Sequence, residues 1–158
     1  MSLNVEKEVV ARGSDEHAEA AWRLKERIRR EEGVLKQRRG FFVSAYRRSR
    51  AHLFLVDGDV VGFAVARQDG YVLFLAVAPE YRDEGFGERL VADVADECGN
   101  VTCHARTSNE SALGFYEHLG FEVVRRIDRY YEDGGDAYYL RLGEEQRLLD
   151  RVSDILRR

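Results

Sequence analysis

Val77-Ala78-Pro79-Glu80-Tyr81-Arg82-Asp83-Glu84-Gly85-Phe86-Gly87-Glu88-Arg89-Leu90 decides how the rest of this chain is read. The apolar run Tyr71 to Val77 has the length and composition of a strand and enters a short turn. Two glycines follow, then an amphipathic helical pattern with Phe86, Leu90, Val91, Val94 and Ala95 on one face. A glycine-spaced turn at a helix start leaves several backbone N–H groups without intrahelical partners. Those donors and the positive end of the helix dipole make an anion site that suits a diphosphate. Gly85 and Gly87 carry no side chain that would hold a phosphate away from the backbone. The third glycine of a dinucleotide fingerprint is missing, since position 90 is Leu90, and no Gly-Lys-Ser/Thr follows. A tight structural turn would use the same two glycines, so the motif alone leaves both readings open.

A second segment lies downstream: Asn109-Glu110-Ser111-Ala112-Leu113-Gly114-Phe115-Tyr116-Glu117-His118-Leu119-Gly120-Phe121. In that order and spacing, the two segments resemble the GNAT superfamily of acetyl-CoA-dependent N-acetyltransferases. Arg82 to Gly87 resembles the family's Arg/Gln-x-x-Gly-x-Gly/Ala diphosphate motif, and Asn109 to Phe121 resembles its Asn-x-x-Ala-x-x-Phe-Tyr-x-x-x-Gly-Phe segment. The resemblance runs from about Val5 to Leu142.

Composition is compatible with one folded domain. The chain has 158 residues, 44% hydrophobic and 11% aromatic, enough to build a core and too apolar for disorder. The net charge of -4 argues against general nucleic-acid binding. No apolar run reaches the length of a membrane span. Met1 to Glu8 lacks the basic-then-apolar order of a signal peptide, so a cytoplasmic location is expected. Cys98 and Cys103 read as buried free thiols; His104 is expected on the opposite strand face from Cys103, and the spacing fits no zinc site, so no metal is expected.

Along the chain, Glu6 to Ala11 reads as a strand, with Ser14 as the cap of a helix that ends at Gly33. A second helical pattern starts at Val34 and carries Gly40 within it. His52 to Val56, Val60 to Arg67 and Tyr71 to Val77 form a meander around Asp57-Gly58 and Asp69-Gly70. Gly99-Asn100 ends the helix after the glycines, Val101 to Ala105 is a strand, and Asn109 to Leu119 is a helix. Phe121 to Tyr131 and Asp136 to Leu142 read as a final hairpin. The order predicts an α+β (α/β/α) sandwich with a mixed, mostly antiparallel sheet of about seven strands, in agreement with the GNAT fold. Residues 1–143 are expected to be the domain. Residues 144–158 form an amphipathic pattern, read as a helix docked on the domain or at a dimer contact, so monomer and homodimer both stay open.

The resemblance implies roles for particular residues. Leu75, Ala76 and Val77 would hold the pantetheine arm through the backbone, and Arg82, Asp83, Glu84, Gly85, Phe86, Gly87 and Glu88 would cradle the diphosphate. The Arg82 side chain could instead pair with Glu80 or Asp83. Asn109 would contact the cofactor arm, cap its helix, or do both. Tyr116 would donate a proton to the departing thiolate; an ordinary core tyrosine is the alternative. His104 stands where ribosomal-protein N-acetyltransferases usually carry a glutamate base, and its other reading is a strand histidine held by a carbonyl. Arg125 to Tyr138 resembles the Tyr-Tyr-x-x-Gly-x-Asp-Ala segment of protein Nα-terminal acetyltransferases, which implies that Tyr130 and Tyr131 line a peptide slot. An α-amino group, with a pKa of about 8, asks less of a base than lysine at about 10.4. The implied acceptor is thus a peptide or protein N-terminus; a small amine or amino acid is the runner-up, and a non-catalytic acetyl-CoA-binding module the alternative from another class. Arg38, Arg39, Arg47, Arg48 and Arg50 lie in the region that walls the acceptor site in this family, and read either as an acidic-substrate or ribosomal RNA contact or as a solvated basic face.

Overall fold

β1 (Val5–Val10) pairs antiparallel with β2 (Arg50–Val56), which continues into β3 (Asp59–Ala66) and β4 (Val72–Val77). The structure is a computed structural model that describes residues 4–143. The amphipathic pattern at 144–158 lies outside the described residues. Helix α1 (Ala18–Glu32) and helix α2 (Arg39–Arg48) separate β1 from β2, and helix α3 (Phe86–Cys98) follows β4. Then come β5 (Thr102–Arg106), helix α4 (Glu110–Leu119), β6 (Phe121–Ile127) and β7 (Ala137–Leu142).

Seven strands are present among the described residues, split into two sheets ordered β1-β2-β3-β4 and β5-β7-β6. The sheets meet at one parallel bridge, Tyr71 with Thr102, where the Thr102 amide donates to the Gly70 carbonyl at 3.0 Å. Beyond it, β4 and β5 share no ladder. An extra residue in β4, Leu73, falls between Phe74, opposite Val65, and Val72, opposite Ala66. Such a bulge bends its strand and breaks the ladder locally.

Strand alternation explains the layers. Leu53, Leu55, Phe63 and Val65 pack with Phe42 and Tyr46 beneath α1 and α2. Phe54, Val56, Ala64 and Ala66 face the other way, against Leu90, Val91 and Val94 of α3 and Leu119 of α4. Burial on both faces is why β2 and β3 read as nearly continuous apolar runs.

Several local boundaries differ from the sequence reading. Ser14 does not cap α1: its Oγ accepts from the Glu16 amide at 3.1 Å, a local turn that competes with helix, and His17, at φ 65, precedes the first helical residue. The second helix starts at Arg39 rather than Val34, because Leu35 is left-handed at φ 55 and the Gln37 carbonyl is taken by the buried Lys25 ammonium. Gly40 therefore sits in a first turn. β1 covers Val5–Val10, displaced by one residue at each end. β6 stops at Ile127, since the Asp136 carboxylate accepts from the Arg129 amide (2.9 Å) and Arg126 (2.6 Å) and turns the chain out of the strand. Tyr130 and Tyr131 thus belong to the β6–β7 loop.

Gly70 joins the two sheets at φ 85, and a Cβ there would lie 1.8 Å from the Asn100 carbonyl oxygen. Gly70→Ala is expected to destabilise the fold by on the order of 3 kcal/mol, measured by urea unfolding. A loss within the ordinary surface range of about 0.5 kcal/mol would contradict the tight junction.

Candidate functional site

The turn between β4 and α3 builds one wall of a cleft of about 520 Å³. Pro79–Tyr81 make a short 3-10 turn, and Gly85, at φ 87, occupies the position before α3. No side chain caps this helix. Arg89 is the first of its amides with a backbone partner, the Gly85 carbonyl at 3.1 Å. Among the described residues, the amides of Asp83, Glu84, Gly85, Phe86, Gly87 and Glu88 find no hydrogen-bond acceptor. Most of these residues line the cleft, together with Leu75, Ala76 and Val77 of β4 and Asn109 and Tyr116 of α4. An array of free amides at a helix start attracts an anion.

Arg82 pairs with neither Glu80 nor Asp83. Its Nε donates to the Val77 carbonyl at 3.1 Å, and its two terminal nitrogens grip Glu32 at 2.9 and 2.8 Å. Glu80 is held instead by Arg27, at 2.8 and 2.6 Å, which keeps the Glu80 carboxyl down at about 2. Two forked pairs thus tie α1 to the glycine turn, and the Arg82 charge is already matched by a carboxylate.

The splay of β4 from β5 leaves a second, smaller cavity of about 90 Å³. Tyr116 and Asn109 border both spaces. Asn109 caps α4, its Oδ1 accepting from the Ala112 amide at 3.1 Å. Tyr116 is buried, and burial, then the neighbouring Cys103 thiol, raises its hydroxyl pKa well above the ordinary value. The hydroxyl stays protonated. Burial in turn pushes the Cys103 thiol up to about 12, so it is no nucleophile.

His104 faces away from Cys103, as strand alternation predicts. Its ring stacks on Tyr130 at 4.3 Å and packs on Tyr139 at 4.9 Å. Nδ1 lies 2.6 Å from the Tyr71 hydroxyl and 3.3 Å from that of Tyr130. In the tautomer that carries its proton on Nδ1, Nδ1–H donates to the Tyr71 hydroxyl. Nε2 then keeps its lone pair, and it makes no hydrogen bond among the described residues. Burial, then the Arg125 guanidinium, lowers the His104 pKa, so the ring is neutral near pH 7.

Tyr131 borders the small cavity with Arg106 stacked over its ring at 4.0 Å. Arg106 donates to Asp133 at 3.0 Å, and Lys36 of the α1–α2 loop reaches the same carboxylate at 3.0 Å. Arg106, the Gly135 amide and Lys36 together hold Asp133 well below the usual carboxylate range. Sequence reasoning missed Tyr71, Arg106, Asp133 and the loop residues Val34 and Leu35. For Arg106 the signal was there: it stands two residues after His104 and shares its face. The arginine cluster does not form the cavity wall. Arg39 pairs with Glu19 and Arg50 with Glu97, and the wall is the preceding loop, Val34 to Gln37. The one cluster of possible metal ligands among the described residues, Glu8, Glu16 and His17, borders neither space.

Residues 47–123 match the family model described as acetyltransferase (GNAT) domain. N-alpha-acetyltransferase 30 of Xenopus laevis is 38% identical over 103 residues, covering 57% of this chain and 38% of that protein. The chain therefore spans well under half the length of the first curated relatives it matches. An N-alpha-acetyltransferase of Sulfurisphaera tokodaii is 32% identical over 123 residues, covering 63% of this chain and 74% of the relative. Among solved structures, Arabidopsis thaliana Naa50 in complex with a bisubstrate analogue, CoA-Ac-MVNAL, superposes with a TM-score of 0.68 at 23% identity, covering 87% of this chain and 97% of that one. No helix among the described residues is long and apolar enough to cross a membrane.

With a thiol pKa of about 12, only about one Cys103 in ten thousand is ionised at pH 8. Iodoacetamide at that pH is expected to spare Cys103 in the native protein and to label it after denaturation, read by peptide mass spectrometry. Fast native labelling would refute the burial of the Cys103 thiol.

Proposed function

The chain belongs to the GNAT acetyltransferase family, and from that premise we propose that it moves the acetyl group of acetyl-CoA onto the α-amino group of a protein or peptide N-terminus. The observation that carries the reading is the row of uncapped amides from Asp83 to Glu88, opening on a cleft that Tyr116 and Asn109 share with the cavity beside His104. The coenzyme supplies an activated thioester, whose acetyl carbon is the electrophile.

Each step asks something of a named group. The amides of the glycine turn hold the diphosphate, and the backbone of Leu75 to Val77 aligns the arm along the edge that β4 leaves unpaired. The amine must reach the thioester neutral. His104 takes its proton at Nε2, directly or through one water, while Tyr71 fixes the ring and its tautomer through Nδ1. Attack, in a ternary complex, is direct. Tyr116, which burial keeps protonated, is placed to hydrogen-bond the departing sulfur and supply its proton. Tyr130 and Tyr131 offer apolar contact and hydroxyls to the first residues of the acceptor. A cytoplasmic setting, access to chains near the ribosome, and action as a monomer or homodimer belong to the same proposal.

A peptide with a free α-amino group, compared with the same peptide Nα-blocked, tests it by thiol release and mass spectrometry. Only the free peptide is expected to gain an acetyl group. Acetylation of small amines alone would move the assignment to the small-molecule reading. Acetyl-CoA binding without turnover on any acceptor would leave a binding module.

Tyr116→Phe is expected to lower kcat by about 100-fold with little change in the KM for acetyl-CoA. An unchanged kcat would remove the tyrosine from the chemistry. For His104 the sign follows from its lowered pKa: the ring is already unprotonated above about 6.5, so it limits the rate only on the acid side. Between pH 7 and 9 the rate should still rise with the acceptor amine near pKa 8. His104→Ala should reduce kcat above the histidine pKa and remove the histidine's part of the acid limb, leaving the rise with the acceptor amine. A variant with the parent's profile and rate would dismiss the base.

A further inference from the structure

We propose that Lys25 is a positioning residue for the transfer: its ammonium, shut inside the protein, fixes the α1–α2 loop from Val34 to Gln37 and with it one wall of both spaces. The inference rests on the acceptor reading above, because the loop acts on the acceptor.

The loop depends on a hold from outside itself. Gly33 and Leu35 are both left-handed, at φ 71 and φ 55, and the chain enters α2 without a side-chain cap. Among the described residues, no backbone–backbone hydrogen bond reaches Val34 to Gln37. The hydrogen bond that does reach this main chain comes from the Lys25 ammonium, at the Gln37 carbonyl. Val34 and Leu35 border the coenzyme cleft as well as the smaller cavity, so the place at which that bond holds the loop shapes both.

The ammonium is matched to its surroundings. Lys25 is completely buried, and three groups receive its three N–H bonds: the Gln37 carbonyl, the Glu26 carboxylate at 3.3 Å and the face of Trp22, 4.6 Å from the ring centre. A compact ammonium with rotatable donors suits such a place, and the planar fork of arginine does not. The choice is marked in this chain, where Lys7, Lys25 and Lys36 are the only lysines among 25 basic residues. An apolar side chain of the same length would be buried at lower cost, since a buried charge is expensive even when paired. What the ammonium adds is its grip on the loop. Lys36 fastens the same loop a second time, reaching Asp133 at 3.0 Å.

Positioning and folding differ in their kinetic signature. The amides that seat the coenzyme stand at α3 and are braced by Arg27 and Arg82, and His104 and Tyr116 stand on β5 and α4. None of these belongs to the loop. A loosened loop therefore weakens the seating of the acceptor and spares both the donor and the chemistry that follows.

Two variants of the full chain, Lys25→Met and Lys25→Gln, test this with a peptide bearing a free α-amino group. Each is expected to raise the peptide KM at least about tenfold, while kcat and the calorimetric affinity for acetyl-CoA stay within about threefold. A fall in kcat alone, or parent constants in either variant, would overturn the proposal. The unmutated protein gives an independent reading through mass spectrometry of its three lysines after brief exposure to an amine-reactive ester. Lys7 and Lys36 are about half exposed and Lys25 is enclosed, so Lys25 should label at least about 30-fold more slowly than Lys7. A saturating peptide that is acetylated should slow it further, because a seated acceptor holds the loop shut. Burial lowers the Lys25 pKa, which alone would quicken the reaction, so slow labelling reports enclosure. Labelling at the Lys7 rate, or a Lys25 rate that such a peptide does not change, would overturn the proposal even if both variants fail to fold. Acetylation of no peptide while Lys25 stays enclosed would instead bring down the acceptor reading, and the loop's part in transfer with it.

Discussion

Two parallel strands that touch once and then part are the constraint on which this molecule turns. The Tyr71–Thr102 bridge brings the half-sheets together, and the Leu73 bulge sends β4 away from β5 immediately afterwards. A continuous ladder would pair the backbone groups of Leu75 to Val77 and close both spaces. Because the ladder stops, the strand edge, the glycine turn and α4 are left facing a common opening. The cost of unpaired polar backbone is tolerable there because the opening is wet or filled by a ligand.

The two sides of the opening are built from different materials. The side toward α3 presents main-chain amides, positioned by Gly85 and braced to α1 by Arg27–Glu80 and Arg82–Glu32. These exposed ion pairs add little stability individually, but their forked geometry fixes where the turn stands relative to α1. The side toward β7 presents side chains: His104 stacked among Tyr71, Tyr130 and Tyr139, and Arg106 lying on Tyr131. Tyr116 stands between them, buried and obliged to keep its proton.

Much of this could be read before any coordinates. Element order, the meander and the free amides follow from glycine positions and apolar periodicity, which are local signals. The Asn109 cap and the opposite facing of Cys103 and His104 also follow from local geometry. What escaped the sequence depends on partners distant along the chain. The alternative partners that sequence offers Arg82, Glu80 and Asp83, are its neighbours in the chain, yet its carboxylate is Glu32, 50 residues away. Ser14 looked like a cap because the competing Glu16 turn has the same residue types. The helical pattern runs from Val34, and nothing in Val34 to Arg38 announces that a buried lysine claims the Gln37 carbonyl. Tyr71 read only as a strand residue, since its hydroxyl partner lies on β5. Tyr130 and Tyr131 looked like strand because tyrosine favours strands, while Asp136 pulls them into a loop.

A peptide N–H neither gains nor loses a proton across the range in which proteins stay folded, and it cannot be exchanged by mutation for a different functional group. A ligand held by such groups keeps its seat while acidity changes around it, whereas the tyrosine–histidine side of the opening responds to acidity and to every substitution. Substitutions can therefore change what the side-chain wall recognises while the amide wall stays as it is.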